Sequence, residues 1–175
     1  MSSFKELFES DMHRYAGTES KYCRLFSYYL RRCYCGGNRL LHAYYRLRFK
    51  YISRKNGLEI PWKTVIGKGL YLGHPYNITV NQNAVIGKNV NLHKGVTIGQ
   101  ENRGARKGAP TLMDNVWVGI NSTIVGKVTI GNDVLIAPNS YVNCDVPPHS
   151  IVMGSPCRII PRENATECYI VNTVE

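Results

Sequence analysis

The chain has 175 residues, 43% of them apolar, enough for one domain with a short extension. No apolar run reaches the roughly 18 residues of a membrane-spanning helix, and the charged opening MSSFKELFESDMHRYAG lacks the apolar centre of a secretory signal, so a cytoplasmic protein is expected. The net charge of +10 is uneven, with 12 Lys/Arg against 4 Asp/Glu in residues 1–58 and 10 against 8 in the remainder, which suits an anionic partner or surface for the N-terminal segment.

That segment reads as helical. Ser3 with Glu6 forms a capping-box pattern ahead of Phe4, Leu7 and Phe8. A second helix is predicted over 20–34, broken by Gly36-Gly37, and a third from about Asn38 to Lys55, ended by Asn56-Gly57. Six cysteines, with no leader, are expected as reduced thiols. Cys33 and Cys35 form a C-x-C, with Cys23 ten residues earlier, but no fourth ligand stands at a plausible spacing, so no metal is expected.

After Gly57 the period changes. Aliphatic residues recur every six positions at Ile60, Ile66, Leu72 and Ile78, then after a slip of two at Val80, Ile86, Leu92 and Ile98. The series resumes as Leu112, Val118, Ile124, Ile130, Ile136 and Val142. A period of six fits neither the 3.6 of a helix nor the two of a sandwich strand. It is the mark of a parallel β-helix, in which each hexad supplies a short strand and a corner. The polar, Gly-rich stretch 100–111 is expected as a loop thrown out from the coil, where binding residues concentrate.

These hexads, with LGHPYNITVNQNAVIGKNVNLHKGVTIG and the closing VPPHSIVMGSPCRII, resemble the serine acetyltransferase branch of the hexapeptide acyltransferases, which also holds capsular and exopolysaccharide O-acetyltransferases. The likeness runs from about Glu59 to Ile160. It implies a left-handed β-helix over 59–160, preceded by the helical segment 1–58 and followed by a tail over 161–175. It also implies acetyl-CoA as co-substrate, and a homotrimer with active sites between neighbouring coils.

His74 stands at the family's catalytic position, in Leu72-Gly73-His74 where serine acetyltransferases read Leu-Asp-His. Glu59 lies fifteen residues earlier, where the family has an acidic residue. With eighteen residues per turn it should stack beneath Asn77, within reach of His74. A hydroxyl needs its proton removed as it attacks a thioester, which a neutral imidazole can do, and a carboxylate on the other ring nitrogen would orient it. His93, Gly73 and Asn77 are candidate acceptor contacts. Gly99, Gly119, Ile120, Ala137 and Pro138 are implied along the acetyl-CoA groove, Gly99 near an oxyanion hole, and Arg158 is a candidate for the nucleotide phosphates.

The acceptor is argued from departures. The family's Asp before the histidine, and the Arg-His pair in its loop, are here Gly73, Gly108 and Ala109, so a sugar hydroxyl of a capsular or exopolysaccharide precursor is expected. Serine is the alternative, and a non-catalytic scaffold the competing class. Nucleic acid is not among the expected partners. The segment 15–51, with 8 of the 12 tyrosines among Arg and Lys, is expected to pack on the coil or within the oligomer. Peripheral contact with the inner face of a membrane is the second reading.

Overall fold

In a computed structural model, which describes residues 2–175, three helices precede fourteen short strands. The helices α1 (Phe4–His13), α2 (Lys21–Cys35) and α3 (Arg39–Lys55) start at Ser3, Ser20 and Asn38, whose side chains accept from the first-turn N–H groups. Ser3 and Glu6 close the expected capping box reciprocally, at 3.2 and 3.3 Å.

The strands wind into a left-handed parallel β-helix of about five turns with three faces. The first face holds β1 (Val65–Ile66), β4 (Val85–Ile86), β7 (Thr111–Leu112) and β10 (Thr129–Ile130). The second holds β2 (Tyr71–Gly73), β5 (Asn91–His93), β8 (Val116–Val118), β11 (Val134–Ile136) and β13 (Ser150–Met153), with β14 (Arg158–Pro161) folding back antiparallel on β13. The third holds β3 (Thr79–Val80), β6 (Thr97–Gly99), β9 (Thr123–Val125) and β12 (Tyr141–Val142). Every aliphatic residue of the hexad series, from Ile60 to Val142, is buried, and the column continues through Val146 and Val152.

The corners explain the polar residues of the repeat. Asn89, Asn115, Asn121 and Asn139 all take left-handed backbone angles, with φ between 56° and 58°. Most L-residues pay roughly 1–2 kcal/mol there, and Asn offsets part of it through local hydrogen bonds.

Strand pairing gives the step of each turn. Thr123 to Tyr141 is the regular eighteen residues, but the first turn steps twenty, pairing Val65 with Val85 and Tyr71 with Asn91. The two extra residues sit in the corner His74–Asn77. This corrects one expectation: Glu59 lies under Thr79, while Asn77 rests over Asn56, its N–H donating to the Asn56 carbonyl at 3.0 Å. The second departure is the extruded loop, where Val85 pairs with Thr111, twenty-six residues on. The loop is tied at its base by reciprocal backbone bonds of 3.0 Å between Glu101 and Gly108.

The helices cap the open first turn through buried charge. Arg31, 1% exposed, donates to both carboxylate oxygens of Asp11, at 2.8 and 2.7 Å, and to the carbonyls of Ile66 and Gly67. Asp11 also accepts from Ser27 Oγ and the Leu70 N–H. Arg14 at the end of α1 repeats the device, donating to Gly69 O, Asn91 Oδ1 and Val171 O and so joining helix, two turns and tail. The tail docks along the coil, with Thr166 bonded to Asp133 and Val174 to Asn89.

Removing one partner of a buried, hydrogen-bonded pair strands the other charge. Asp11→Ala is therefore expected to cost about 3–5 kcal/mol in denaturant unfolding at fixed protein concentration, and Asp11→Ala with Arg31→Met to recover much of it. A single variant within about 1 kcal/mol of wild type would contradict the clamp.

Candidate active site

His74 lies in the enlarged first corner, between the second and third faces. Its backbone is left-handed, φ 53°, and its side chain is exposed. The corner is braced by a 2.8 Å bond from the Tyr76 N–H to the His74 carbonyl, and by the Lys94 N–H donating to Gly73 O. A β-region backbone would run the chain straight on. The left-handed turn swings the imidazole to the mouth of a cleft of about 350 Å³ between the coil and the segment joining α1 to α2. Tyr15, Tyr22, Tyr71, Tyr76 and His93 are among its walls, and no Asp, Glu, Lys or Arg lines it. Tyr15 fixes the far wall, its hydroxyl accepting from the Leu72 N–H at 2.9 Å.

His93 on β5 belongs to the same cleft. Its ring packs tilted against Trp117, 4.6 Å between centroids at 48°, and stands 6.4 Å from Tyr71. Its Nε2 is buried without a hydrogen-bond partner. Burial, and secondarily the neighbouring His74, push its pKa down to about 4, so it is neutral near neutrality. Gly73 is the strand partner of His93, and a Cβ on Gly73 would overlap the His93 imidazole at Nδ1 and Cε1. The two residues form an interlocking pair: the imidazole occupies the space where a side chain at 73 would stand. The Asp of the family pattern is sterically barred here while His93 keeps its place.

The other candidates separate into groups. Gly119, Ile120, Ala137 and Pro138 lie on the edge between the second and third faces, in the same column of corners as His74. The column is joined turn to turn by backbone bonds from Gly95 N–H to Tyr76 O, Asn121 N–H to Lys94 O, and Asn139 N–H to Ile120 O. Gly119 is a glycine for the coil's own sake, since a Cβ would come 2.7 Å from the Pro138 nitrogen. Ile120 and Pro138 are exposed and Ala137 half-buried, so small and apolar groups line this edge.

Gly99 instead ends β6 at the opposite edge of the third face, where the loop leaves. Arg158 is exposed on β14 in the last turn. Asn77 is exposed beside His74, φ 52°. Glu59 is exposed and opens on a separate cleft of about 650 Å³ with Trp62 and Arg54 of α3, and it makes no hydrogen bond or ion pair with His74 inside one chain. The twenty-residue first step moves it away from the position under Asn77.

Sequence reasoning missed the aromatic walls. Tyr71 lines the cleft and Trp117 packs against His93, two rungs apart on one face with Asn91 between them, a column visible only once the slip and the loop are subtracted from the numbering. Tyr15 carried no signal, since it reaches the cleft from the end of another element.

The model of the bacterial transferase hexapeptide family (six repeats) matches residues 109–144. A serine acetyltransferase of Helicobacter pylori is 32% identical over 133 residues, covering 71% of this chain and 78% of that protein. A Bacillus pumilus serine acetyltransferase is 29% identical over 131 residues, and the match spans 60% of its length. Among solved structures, soybean serine acetyltransferase apoenzyme superposes with a TM-score of 0.76 at 24% identity, over 90% of this chain and 69% of that one. The Neisseria gonorrhoeae serine acetyltransferase in complex with serine gives 0.69 at 26%, with the same coverage. The soybean likeness bears on the fold, and the Helicobacter match, spanning more than two thirds of both chains, bears on descent: this chain belongs to the serine acetyltransferase branch of the hexapeptide-repeat acyltransferases.

Proposed function

We propose that His74 is the general base of an acetyl transfer from acetyl-CoA to a hydroxyl, with L-serine as the acceptor that the relatives favour. Membership of the family makes the chain an acetyl-CoA-dependent acyltransferase. The observation that carries the role of His74 is its left-handed corner. That corner presents the imidazole at a cleft mouth, on the same column as the Gly119–Ile120 and Ala137–Pro138 ledge. The imidazole takes the hydroxyl proton as oxygen attacks the thioester carbonyl. The C–S bond breaks, the ester forms, and the proton passes to the departing thiolate. Arg158 is retained as a candidate for the nucleotide phosphates.

Glu59 and Gly99 complete this site only across a subunit boundary. Their positions away from His74 in one chain fit a homotrimer whose neighbours lend the missing edge, and exposed Val65, Val85 and Tyr141 on the coil's flanks give such neighbours apolar surface to cover.

The comparisons favour serine over the sugar hydroxyl expected from Gly73, Gly108 and Ala109. One observation favours the second reading. The cleft beside His74 holds aromatic and neutral polar groups with no charged side chain, and the Gly73–His93 interlock removes the position of the family's Asp. A zwitterion buried without charged partners costs several kcal/mol, whereas a neutral sugar hydroxyl needs none.

His74→Ala is expected to lower kcat by about 10²–10⁴-fold with acetyl-CoA binding retained in calorimetry, and Glu59→Gln to lower it less. More than a tenth of wild-type kcat in His74→Ala would remove the assignment. Thiol release measured with L-serine, free hexoses and hexosamines, and an oligosaccharide repeat unit separates the acceptors. Turnover with L-serine alone supports the first reading, and turnover confined to sugars supports the second. No turnover with any of them, together with no binding of acetyl-CoA, would favour a scaffold.

His93 makes a separate prediction about stability. Its folded pKa of about 4 lies below the unfolded value near 6.5, so the unfolded chain binds more protons between them. Stability should fall as pH drops from about 6.5 to about 4, and His93→Gln should flatten that slope. Equal slopes in urea titrations of the two proteins would show that His93 is not held neutral.

A further inference from the structure

The inner face of the helical segment packs on the coil as expected. In α2, Phe26, Tyr29, Leu30 and Cys33 are buried, and α3 buries Phe49, Ile52 and Ser53, with the Tyr22 hydroxyl donating to the Ile52 carbonyl at 2.7 Å. The outer face of α3 is different. Leu40, Leu47 and Tyr51 are 83, 70 and 65% exposed, and Tyr44 is 49% exposed. Spaced four, three and four residues apart, they form a single stripe along the helix. Solvent-facing helical surface is ordinarily polar, so a continuous Leu/Tyr stripe implies something that covers it.

The charges say what covers it. At 100° per residue, Arg48 and Lys55 flank the stripe on one side and Lys50 and Arg54 on the other, and all four are exposed. Between Glu19 and Glu59 the chain carries ten Lys/Arg and no Asp or Glu. A second α3 laid on this stripe would bring two such cationic borders together with no acid between them. A nucleic acid would satisfy the cations but leave the leucines and tyrosines in water. An anionic lipid surface satisfies both, taking the apolar stripe into the acyl boundary and the cations among the headgroups. Tyrosine, with an apolar ring and a polar tip, suits that depth. No described helix is long and apolar enough to cross a membrane, so the contact would lie in the plane of the surface.

We infer that the outer face of α3 docks the protein on an anionic membrane surface through Leu40, Tyr44, Leu47 and Tyr51, with Arg48, Lys50, Arg54 and Lys55 as its electrostatic rim. The inference does not depend on which acceptor the enzyme uses. It places the three-turn stripe on lipid and leaves the His74 cleft, whose walls come from the α1–α2 segment and the coil, outside the contact.

Flotation of the full-length protein with vesicles of phosphatidylcholine alone, and of phosphatidylcholine mixed with phosphatidylglycerol, tests it. The protein is expected to float only with the mixed vesicles and to be released as salt rises. Leu40→Ser with Leu47→Ser should weaken binding by at least about tenfold, since both side chains leave water in the complex. Arg48→Gln with Lys55→Gln should weaken it by about fivefold per cation. All four positions are solvent-exposed, so the fold, followed by circular dichroism, should not change, and the charge variant reads the same surface independently of the leucines. Binding to neither vesicle, equal binding to both, or binding that the leucine changes leave intact would overturn the inference. So would a fall in oligomer mass by light scattering in the leucine variant, which would assign the stripe to a second copy.

Discussion

A coil of two- and three-residue strands has no core except the column of aliphatic side chains that each rung sets on the rung before it. Ile66 under Ile86 under Leu112 under Ile130 is one such column, and Leu72, Leu92 and Val118 begin another. The column tolerates no drift, because one residue out of step would turn the aliphatic group outward and a polar one inward. Everything else follows from keeping that register. Corners must reverse direction in two or three residues, hence the left-handed asparagines. Any extra residue must be expelled at a corner, where it disturbs no rung. The two corners that carry extra residues are His74–Asn77 and the loop at 100–110, and the first of these presents the imidazole. The added residues of the coil thus sit at two corners, and one of them turns the His74 imidazole out of the stack.

A stack also has ends. The last turn is closed by β14 returning antiparallel on β13, and the first by the helices. The first closure is made with charge rather than with apolar contact alone. Exposed strand ends offer the carbonyls of Ile66, Gly67 and Gly69, and a guanidinium can donate to two carbonyls and a carboxylate at once, as Arg31 does. An apolar cap would have left those carbonyls unsatisfied, at a cost per group that exceeds the value of an ordinary hydrogen bond. The same closure positions the α1–α2 segment, and through Tyr15 it builds the wall opposite His74. Capping the coil and forming the cleft are one structural act.

The periodic parts of this molecule could be read from residue types alone. A six-residue repeat has one physical solution, so every hexad residue from Ile60 to Val142 is where the spacing puts it, and the helix starts at Ser3, Ser20 and Asn38 follow from capping chemistry. What could not be read depends on which turn lies over which. A count of eighteen residues sets Glu59 under Asn77, and the corner that carries His74 makes the count twenty. Gly73 read as a missing Asp. Only the pairing of β2 with β5 shows that the glycine is occupied space, filled by a histidine twenty positions later. Nothing in the periodicity of either helix says that Asp11 and Arg31 form a buried pair.

The Gly73–His93 pair bears on what the cleft beside His74 can hold. One rung carries Gly73 where the family pattern has a carboxylate, and the neutral, desolvated imidazole of His93 lies over that position from the next rung. While the imidazole keeps this place a side chain at 73 is excluded, because the two claim the same space. With Gly73 and His93 this end of the cleft offers a buried ring with an unpaired Nε2, a single neutral hydrogen-bonding group. Such a group has somewhere to direct that bond only when a ligand enters, since Trp117 and Tyr71 offer ring faces and no other partner reaches it. Among the described residues five buried side-chain atoms lack a hydrogen-bond partner, and His93 Nε2 is the one of them that borders the His74 cleft, where under the proposed acetyl transfer an acceptor would satisfy it.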